Sequence, residues 1–518
     1  MFVGRVLGSR NVYIGRVGLR AFSSFSQLQY PLRTNPPVIT QHNANTAFVE
    51  GNKDDKLEPP CTDIKQPPIT LSPLVSIVSQ ASPTPAEVET TYIDGLCVAS
   101  VEKAGGMTSV GICIGAGSKF EAAGVDRGAN HAFELLCMKD TETMSSSDII
   151  SRLDGLGAGV AALSSRDQFM ITCDSLRDNV EDASAIMVDC LLRGTFQEDN
   201  LDDCRQVMHW INSEMGGVEW VKEGMMGAAF GDSPLGNPHF CPVEDIAGIN
   251  GEMMRGWRSK FLTRENMVVG GAGIEHARLV DMVGRMLEEV PNGELPTCEP
   301  SVYAGGEFRM IEPNNMDGLT RVAVGFEVGS WHDEDLVPTC VLQTLLGGGD
   351  SFSAGGPGKG MYSRLYREVL NRCYWAEAAE AYTIIHNDGG VIGIAGACVP
   401  NKAQDLTVVF LEQFAKLTVV PVSDEELDRA KNMIRGNILT QLESRQVLSE
   451  DIIRQMQTYG SREHPSKVCE KIDAVTKDDI MRIARRAMSK PPSISSVGPD
   501  LTYVPKFEQI SHLRGASN

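Results

Sequence analysis

The chain has 518 residues and a formal net charge of −21, from 47 Lys and Arg against 68 Asp and Glu. At about 150 residues per domain its length predicts three to four domain-sized units, and a composition 42% apolar and 22% charged is that of a globular protein. Collagen-like, wholly disordered and disulfide-stapled classes are excluded, and no nucleic-acid partner is expected of so acidic a surface.

No Asp or Glu precedes Glu50, while Arg5, Arg10, Arg16, Arg20 and Arg33 interrupt a run of Val, Leu, Ile and Phe, and Ser23, Ser24 and Ser26 follow. An amphipathic, Arg-rich, acid-free start is the composition of a mitochondrial or plastid transit peptide, placed at residues 1–30. A secretory signal would need an uninterrupted apolar core, and Arg20-Ala21-Phe22-Ser23 resembles a matrix-protease cleavage site. Residues 31–89, rich in Pro, Ser, Thr and Gln, are expected to be an arm with too little apolar surface to offset the entropy of ordering it.

From Thr90 the chain alternates strand and helix patterns. Strands are expected at 96–101, 108–114 and 169–173, and helices over 128–139 and 145–156. The order recurs with a strand at 320–326, a helix over 335–346 and a strand at 390–395. Thr108, Val110, Gly117 and Ser118 match Thr320, Val322, Gly329 and Ser330 at a constant offset of 212, which points to a duplicated domain. The expected fold is therefore α/β (α+β): two homologous sheet-and-helix halves in tandem. The first spans 90–295, a Gly/Pro/Asn-rich linker 296–318, and the second 319–510. Ser423-x-x-Glu426 and Thr476-x-x-Asp479 read as capping boxes that open helices late in the second half.

The 13 cysteines are scattered singly with no C-x-x-C spacing, as reduced, buried small residues would be. The longest strongly apolar stretch, Val391–Pro400, falls well short of the ~20 residues a spanning helix requires.

One helical stretch comes close to a catalytic metal motif. An inverted zinc-peptidase motif reads H-x-x-E-H: two histidines one turn apart share a face and a metal, and the Glu activates the bound water. His131-Ala132-Phe133-Glu134-Leu135 keeps the first His and the Glu, but Leu135 stands where the second His belongs. Leucine has no lone pair to give. With Glu214 as a third remnant, the donors fall short of the three protein ligands that catalytic zinc takes, so no metal and no catalytic residue is expected in this chain. The other histidines show no metal-ligand spacing, and Gly-x-Ser-x-Gly is absent.

A glycine-rich segment follows the predicted helix 335–346: Gly347-Gly348-Gly349-Asp350-Ser351-Phe352-Ser353-Ala354-Gly355-Gly356-Pro357-Gly358-Lys359-Gly360, seven Gly in fourteen residues. It fails the phosphate-loop pattern at two positions and follows a helix, where a dinucleotide loop would follow a strand. It reads as a mobile loop whose exposed backbone can pair with an extended peptide.

With Leu342–Leu346 before it and Gly360-Met361-Tyr362-Ser363-Arg364-Leu365-Tyr366 and Val369-Leu370-Asn371 after it, this segment resembles the α-subunit family of mitochondrial processing peptidases. That family is a non-catalytic branch of the pitrilysin/insulinase-like metallopeptidases. Pro234-Leu235-Gly236-Asn237-Pro238 and Asn266-Met267-Val268-Val269 fit as well, and the similarity runs over residues 90–500. Asp350, where many relatives have Gly, and the long N-terminal arm depart from the pattern.

The resemblance implies two halves clasping a cavity with a partner. The partner is a catalytic β subunit that holds zinc and cuts. By the same resemblance the loop, Gly347 to Gly360, is expected to capture basic presequence peptides and present them. It places the protein in the mitochondrial matrix or peripherally on the matrix face of the inner membrane. The alternative it implies is a structural core subunit of ubiquinol–cytochrome c reductase, with cytochrome b and c subunits as partners, and the two roles are compatible in one protein.

Overall fold

The computed structural model describes residues 87–312, 317–351 and 360–515. The transit segment and nearly all of the arm expected N-terminal to Thr90 lie outside these residues.

The first half opens with strands β1 (Glu89–Ile93), β2 (Leu96–Val101) and β3 (Met107–Ile114), followed by helices α1 (Ala129–Leu136) and α2 (Ser146–Leu156). A hairpin, β4 (Gly159–Ser164) and β5 (Phe169–Leu176), comes next, then α3 (Val180–Arg193), α4 (Glu198–Glu214), α5 (Gly217–Phe230) and α6 (Gly251–Phe261). Strand β6 (Met267–Ala272) and helix α7 (His276–Leu287) close it. The second half runs β7 (Gly306–Ile311), β8 (Thr320–Val328), α8 (Leu336–Leu346), β9 (Gly348–Asp350), β10 (Ala376–Ile385) and β11 (Gly390–Cys398). It ends with α9 (Ala403–Val419), α10 (Asp424–Gln441), α11 (Arg445–Tyr459), α12 (Pro465–Ala474), α13 (Lys477–Ser489), β12 (Ser493–Gly498) and α14 (Phe507–Gly515).

The duplication expected from the repeated residues is present in the sheets. The first is ordered β1-β2-β6-β3-β5-β4 and the second β7-β12-β8-β11-β10-β9. Dropping β1 and β9 leaves the same five-strand order in both, with one parallel pair in each (β2 with β6, β7 with β12) and antiparallel neighbours elsewhere. The halves differ at their edges: the first adds β1 outside β2, and the second adds β9 outside β10.

Each sheet carries its own helices on one face and a helix of the other half on the opposite face. From the first half, α5 lays Val221, Met225, Met226 and Phe230 on Ala323, Tyr382, Val391 and Val497 of the second sheet. From the second half, α11 lays Leu448, Ile452, Ile453 and Met456 on Cys97, Ala99, Cys113 and Val268 of the first. Burial on both faces explains why β2 and β6 are buried at every position. The linker expected over 296–318 includes β7, which pairs along β12; half-exposed, with Glu307 and Arg309 alternating with Phe308 and Met310, it lacks the continuous apolar run that marks the other strands.

A buried ionic cluster also joins the halves. Lys119 Nζ lies 2.8 Å from Asp167 Oδ1 and 3.0 Å from Asp388 Oδ1. Asp167 Oδ2 accepts the Asn387 backbone N–H at 3.0 Å and meets His386 Nδ1 at the same distance. The Ser301 hydroxyl donates to Asp388 Oδ2 at 3.1 Å. Asp167 sits in the β4–β5 turn, and His386, Asn387 and Asp388 in the β10–β11 turn, so two equivalent hairpins of the duplicated unit meet. Burial alone would raise the Asp167 carboxyl, but His386 and Lys119 hold it well below the ordinary carboxylate range.

Of the two capping boxes, Thr476 with Asp479 is complete. Ser423 accepts the Glu426 N–H, but the Glu426 carboxylate does not return to the cap. Arg364 takes it instead, donating from Nε at 3.0 Å and Nη2 at 2.8 Å. The cysteines among the described residues are thiols, and most are buried.

Candidate functional site

Two places carry the residues singled out by the sequence, and the structure treats them differently. On α1, His131 is 2% exposed, with its ring edge-on to Phe240. Its Nδ1 accepts the backbone N–H of Cys241 at 3.2 Å. Burial first, then the neighbouring His239, pull its pKa down to about 3, so the ring is neutral. Glu134 turns to the end of β4, where its carboxylate accepts the Ser164 backbone N–H at 2.8 Å and the Ser164 hydroxyl. Leu135 packs into the first core, and Glu214 lies exposed at the last position of α4.

These donors do not fit a zinc ion. A ligating imidazole offers one nitrogen to the metal and donates N–H from the other to an acceptor. His131 is fixed in the opposite sense, accepting at Nδ1 and carrying its proton on Nε2. Among the described residues no group of three His, Cys, Asp or Glu side chains is placed to hold a metal ion. What remains of the motif is a brace: His131 ties α1 to the segment at Cys241, and Glu134 ties it to the β4–β5 hairpin.

At the glycine-rich segment the described residues are Gly347, Gly348, Gly349, Asp350, Ser351 and Gly360; Phe352, Ser353, Ala354, Gly355, Gly356, Pro357, Gly358 and Lys359 lie outside them. The base is built closely. Helix α8 ends at Gly347, and the next three residues turn back as β9 along the β10 edge, Gly348 opposite Glu380 and Asp350 opposite Ala378. Gly348 adopts φ +99°, and a Cβ there would sit 1.9 Å from the Ala379 carbonyl oxygen, so only glycine fits.

The two feet are joined by the residues just after the loop. The Ser363 hydroxyl accepts the Gly348 N–H at 3.0 Å, and the Tyr366 hydroxyl reaches the Asp350 carbonyl at 3.4 Å. Ser351 donates its N–H to the Glu377 carbonyl at 2.7 Å and its hydroxyl to the Glu377 carboxylate at 3.1 Å. Arg364, clasped by Glu426 with both side chains largely buried, pins the C-terminal foot to α10.

Acidic groups gather at the N-terminal foot: Asp350, Glu377 and Glu380. Burial raises the Glu380 carboxyl above its ordinary value, against the pull of Lys222 3.8 Å away and with added repulsion from Asp350. The sequence reading missed Ser363, Tyr366, Glu377 and Glu380. Ser363 and Tyr366 stand in the quoted run after the loop, but which residue closes a loop is set by the return of the chain at β9, and no local pattern reports it.

Comparison with known proteins finds two family models along the chain. Residues 97–243 match the family model described as Insulinase (Peptidase family M16), and residues 248–434 match the one described as Peptidase M16 inactive domain. The chain is 32% identical over 425 residues to the probable mitochondrial-processing peptidase subunit alpha-1 of Arabidopsis thaliana, covering 82% of this chain and 83% of that protein. It is 32% identical over 440 residues to the human mitochondrial-processing peptidase subunit alpha, covering 81% and 83%. Among solved structures, a chain of complex III2 from Candida albicans superposes with a TM-score of 0.71 at 18% identity, covering 82% of this chain and 99% of that one. That likeness is one of fold.

Proposed function

The chain belongs to peptidase family M16, in its branch of mitochondrial-processing peptidase alpha subunits, and from that membership we propose that it is the substrate-recognising, non-catalytic subunit of a mitochondrial metalloendopeptidase heterodimer. Its substrates are basic N-terminal presequences. The catalytic beta subunit supplies the zinc and cuts the peptide, within a cavity clasped between the two subunits on the matrix side. The residues that bind the peptide are those of the loop, Gly347 to Gly360.

The observation that carries this reading is a contrast within one chain. The donors of the metal helix are spent on Cys241 and Ser164, while the loop base is held by Ser363, Tyr366 and the Arg364–Glu426 pair. The chain thus keeps a closely built loop base beside a metal helix whose donors are otherwise engaged. The acidic foot at Asp350, Glu377 and Glu380 and the net charge of −21 suit an Arg-rich peptide. The alternative, a structural core subunit of ubiquinol–cytochrome c reductase, shares the fold; stoichiometric co-purification with cytochrome b and c polypeptides would favour it.

The test is a fluorescent presequence titrated against the heterodimer with and without residues 351–359. Loss of affinity on deletion is expected, with assembly retained. Binding to the intact heterodimer should also weaken as salt rises, since the Debye length is about 8 Å at 0.15 M. Equal affinity in both forms would reduce the loop to a spacer and overturn the reading.

A further inference from the structure

Helix α5 belongs to the first half, yet it brings a lysine to the loop base in the second. Lys222 Nζ lies 3.8 Å from Glu380 Oε2, beyond hydrogen-bond length, and 6.0 Å from the centre of the Tyr382 ring. Both contacts are at the outer limit of their kind, so the ammonium is held loosely at this carboxylate.

The strand register sets what else is there. Glu380 lies opposite Gly348, and Asp350, two residues further along β9, is its diagonal neighbour on the same face. Tyr382, two residues along β10 from Glu380, shares that face and packs beneath α5. The Asp350 and Glu380 carboxylates therefore stand on the side of the sheet that α5 covers. Asp350 is exposed and Glu380 partly so, which leaves both within reach of a ligand. Burial raises the Glu380 carboxyl, Lys222 offsets only part of the rise, and Asp350 adds to it. Two carboxylates beside one ammonium leave this face short of positive charge.

A guanidinium is the better partner for such a pair. Its planar fork can bond two carboxylates at once, whereas an ammonium acts as a point charge. Presequences carry that group: residues 1–22 of this chain, themselves of presequence composition, hold Arg5, Arg10, Arg16 and Arg20 and no acid. Resting on the substrate-recognition reading, we propose that Lys222 is a built-in competitor of the substrate, a cation that occupies Glu380 until a presequence arginine displaces it and bridges Glu380 and Asp350. It limits how tightly an arginine-bearing peptide is held, as a subunit that passes its peptide on for cutting requires. The apolar contacts of Val221, Met225 and Met226 keep α5 on the sheet when Lys222 lets go.

The test is calorimetric titration of the heterodimer with a peptide of residues 1–22, and with the same peptide carrying glutamine in place of Arg5, Arg10, Arg16 and Arg20. Lys222→Met keeps an apolar stem over Tyr382 and removes the charge. Kd for the arginine peptide should fall about 3- to 5-fold, the scale of a partly exposed ion pair, and the glutamine peptide should not tighten. Glu380→Gln should weaken the arginine peptide by a similar factor, and adding Lys222→Met to it should bring no gain. Lys222→Gln repeats the comparison with a polar stem, and melting temperatures show that each variant is folded. An unchanged or higher Kd for the arginine peptide in both Lys222 variants overturns the proposal. Equal tightening of the glutamine peptide overturns it too, and assigns Lys222 to packing. If the wild type binds neither peptide, the substrate-recognition reading falls and takes this inference with it. Arginine-peptide binding that needs residues 351–359 but ignores Lys222 leaves that reading standing and removes only the competitor.

Discussion

His131 accepts the backbone N–H of Cys241 at its Nδ1, 3.2 Å away, and this bond decides what the remnant metal helix can do. A zinc ligand needs a free nitrogen on one side of the ring and a hydrogen-bond acceptor on the other. His131 has a donor at Nδ1, and its Nε2 holds the proton. Restoring only the missing histidine, Leu135→His, should therefore leave the chain without stoichiometric zinc. Metal analysis after equilibrium dialysis checks this. One zinc per chain in Leu135→His, abolished by a further His131→Ala, would show that the ring can turn over its tautomer at little cost.

The same residue gives the protein an acid-sensitive step. The unfolded imidazole titrates at about 6.5, whereas in the folded chain burial pulls it to about 3. The folded state then binds fewer protons than the unfolded one between those values. Its contribution is complete above about pH 6.5 and is lost as pH falls toward 3. Stability measured by urea unfolding should fall across that window. His131→Gln, which can still accept the Cys241 N–H, should make the fall shallower, and an unchanged slope would locate the acid sensitivity elsewhere.

Asp167 supplies the second electrostatic prediction. It is 6% exposed and bound by Lys119, His386 and Asn387. Removing one partner of a buried pair costs about 3–5 kcal/mol, because the other charge is left unpaired. Asp167→Ala strands Lys119 with Asp388 alone and should lose stability on that scale. The carboxyl is depressed in the folded chain, so its contribution is present above the unfolded pKa of about 3.9 and disappears only below it. The difference between Asp167→Ala and wild type should hold at neutral pH and narrow in acid. Amide exchange in the β10–β11 turn should rise more than exchange in β8 if the bond acts as the tie between the halves.

How much of this was legible in the sequence depends on whether the signal was local. The duplication was readable because β3 and β8 share Thr and Val, and the residues just after them Gly and Ser, at matched positions, and the strands and helices around them fell within a few residues of their expected places. Leu135 shows in the sequence that the metal motif is incomplete, but the bonds from Cys241 to His131 and from Ser164 to Glu134 join residues far apart in the chain and had no local signal. The crossing of α5 and α11 to the opposite sheets was not, since an amphipathic helix does not say which sheet its apolar face will cover. Glu426 shows the limit most directly. Its spacing from Ser423 is that of a capping box, yet a bidentate guanidinium from Arg364 is a stronger partner for a carboxylate than one backbone N–H. A contact 62 residues distant in the chain therefore overrode the local rule.

That pair yields a third test. Glu426→Gln keeps the size of the side chain and the N-cap but replaces a charge-assisted bidentate contact with a neutral one. Arg364 would then be left under-compensated near Arg429 of α10, whose Nη1 and Nη2 are already buried without a hydrogen-bond partner. A loss of about 2–4 kcal/mol is expected, near the lower range for a broken buried pair. The Arg364→Met, Glu426→Met double variant should recover part of it, because apolar groups of similar volume remove the desolvation cost as well as the attraction. A double variant no better than the single one would mean that the pair holds the loop foot by geometry that methionines cannot supply.

The last prediction concerns Gly348, the residue on which the loop base turns. Its φ of +99° is strained for any residue with a side chain, and a Cβ would sit 1.9 Å from the Ala379 carbonyl oxygen. Gly348→Val must therefore push β9 off β10, breaking the pairing at Gly348–Glu380, Gly349–Ala379 and Asp350–Ala378. The second core, built on Val322, Phe326, Ile392, Phe410 and Phe414, lies elsewhere and should survive. The melting temperature should drop by only a few degrees, in line with a local loss of about 1–2 kcal/mol for a chain of this size. Presequence affinity of the heterodimer should fall much further, toward that of the loop deletion, because Asp350 loses its place beside Glu377 and Glu380 of β10. A variant that melts early and binds normally would separate the two, and would show that β9 serves the fold and that the peptide is held elsewhere.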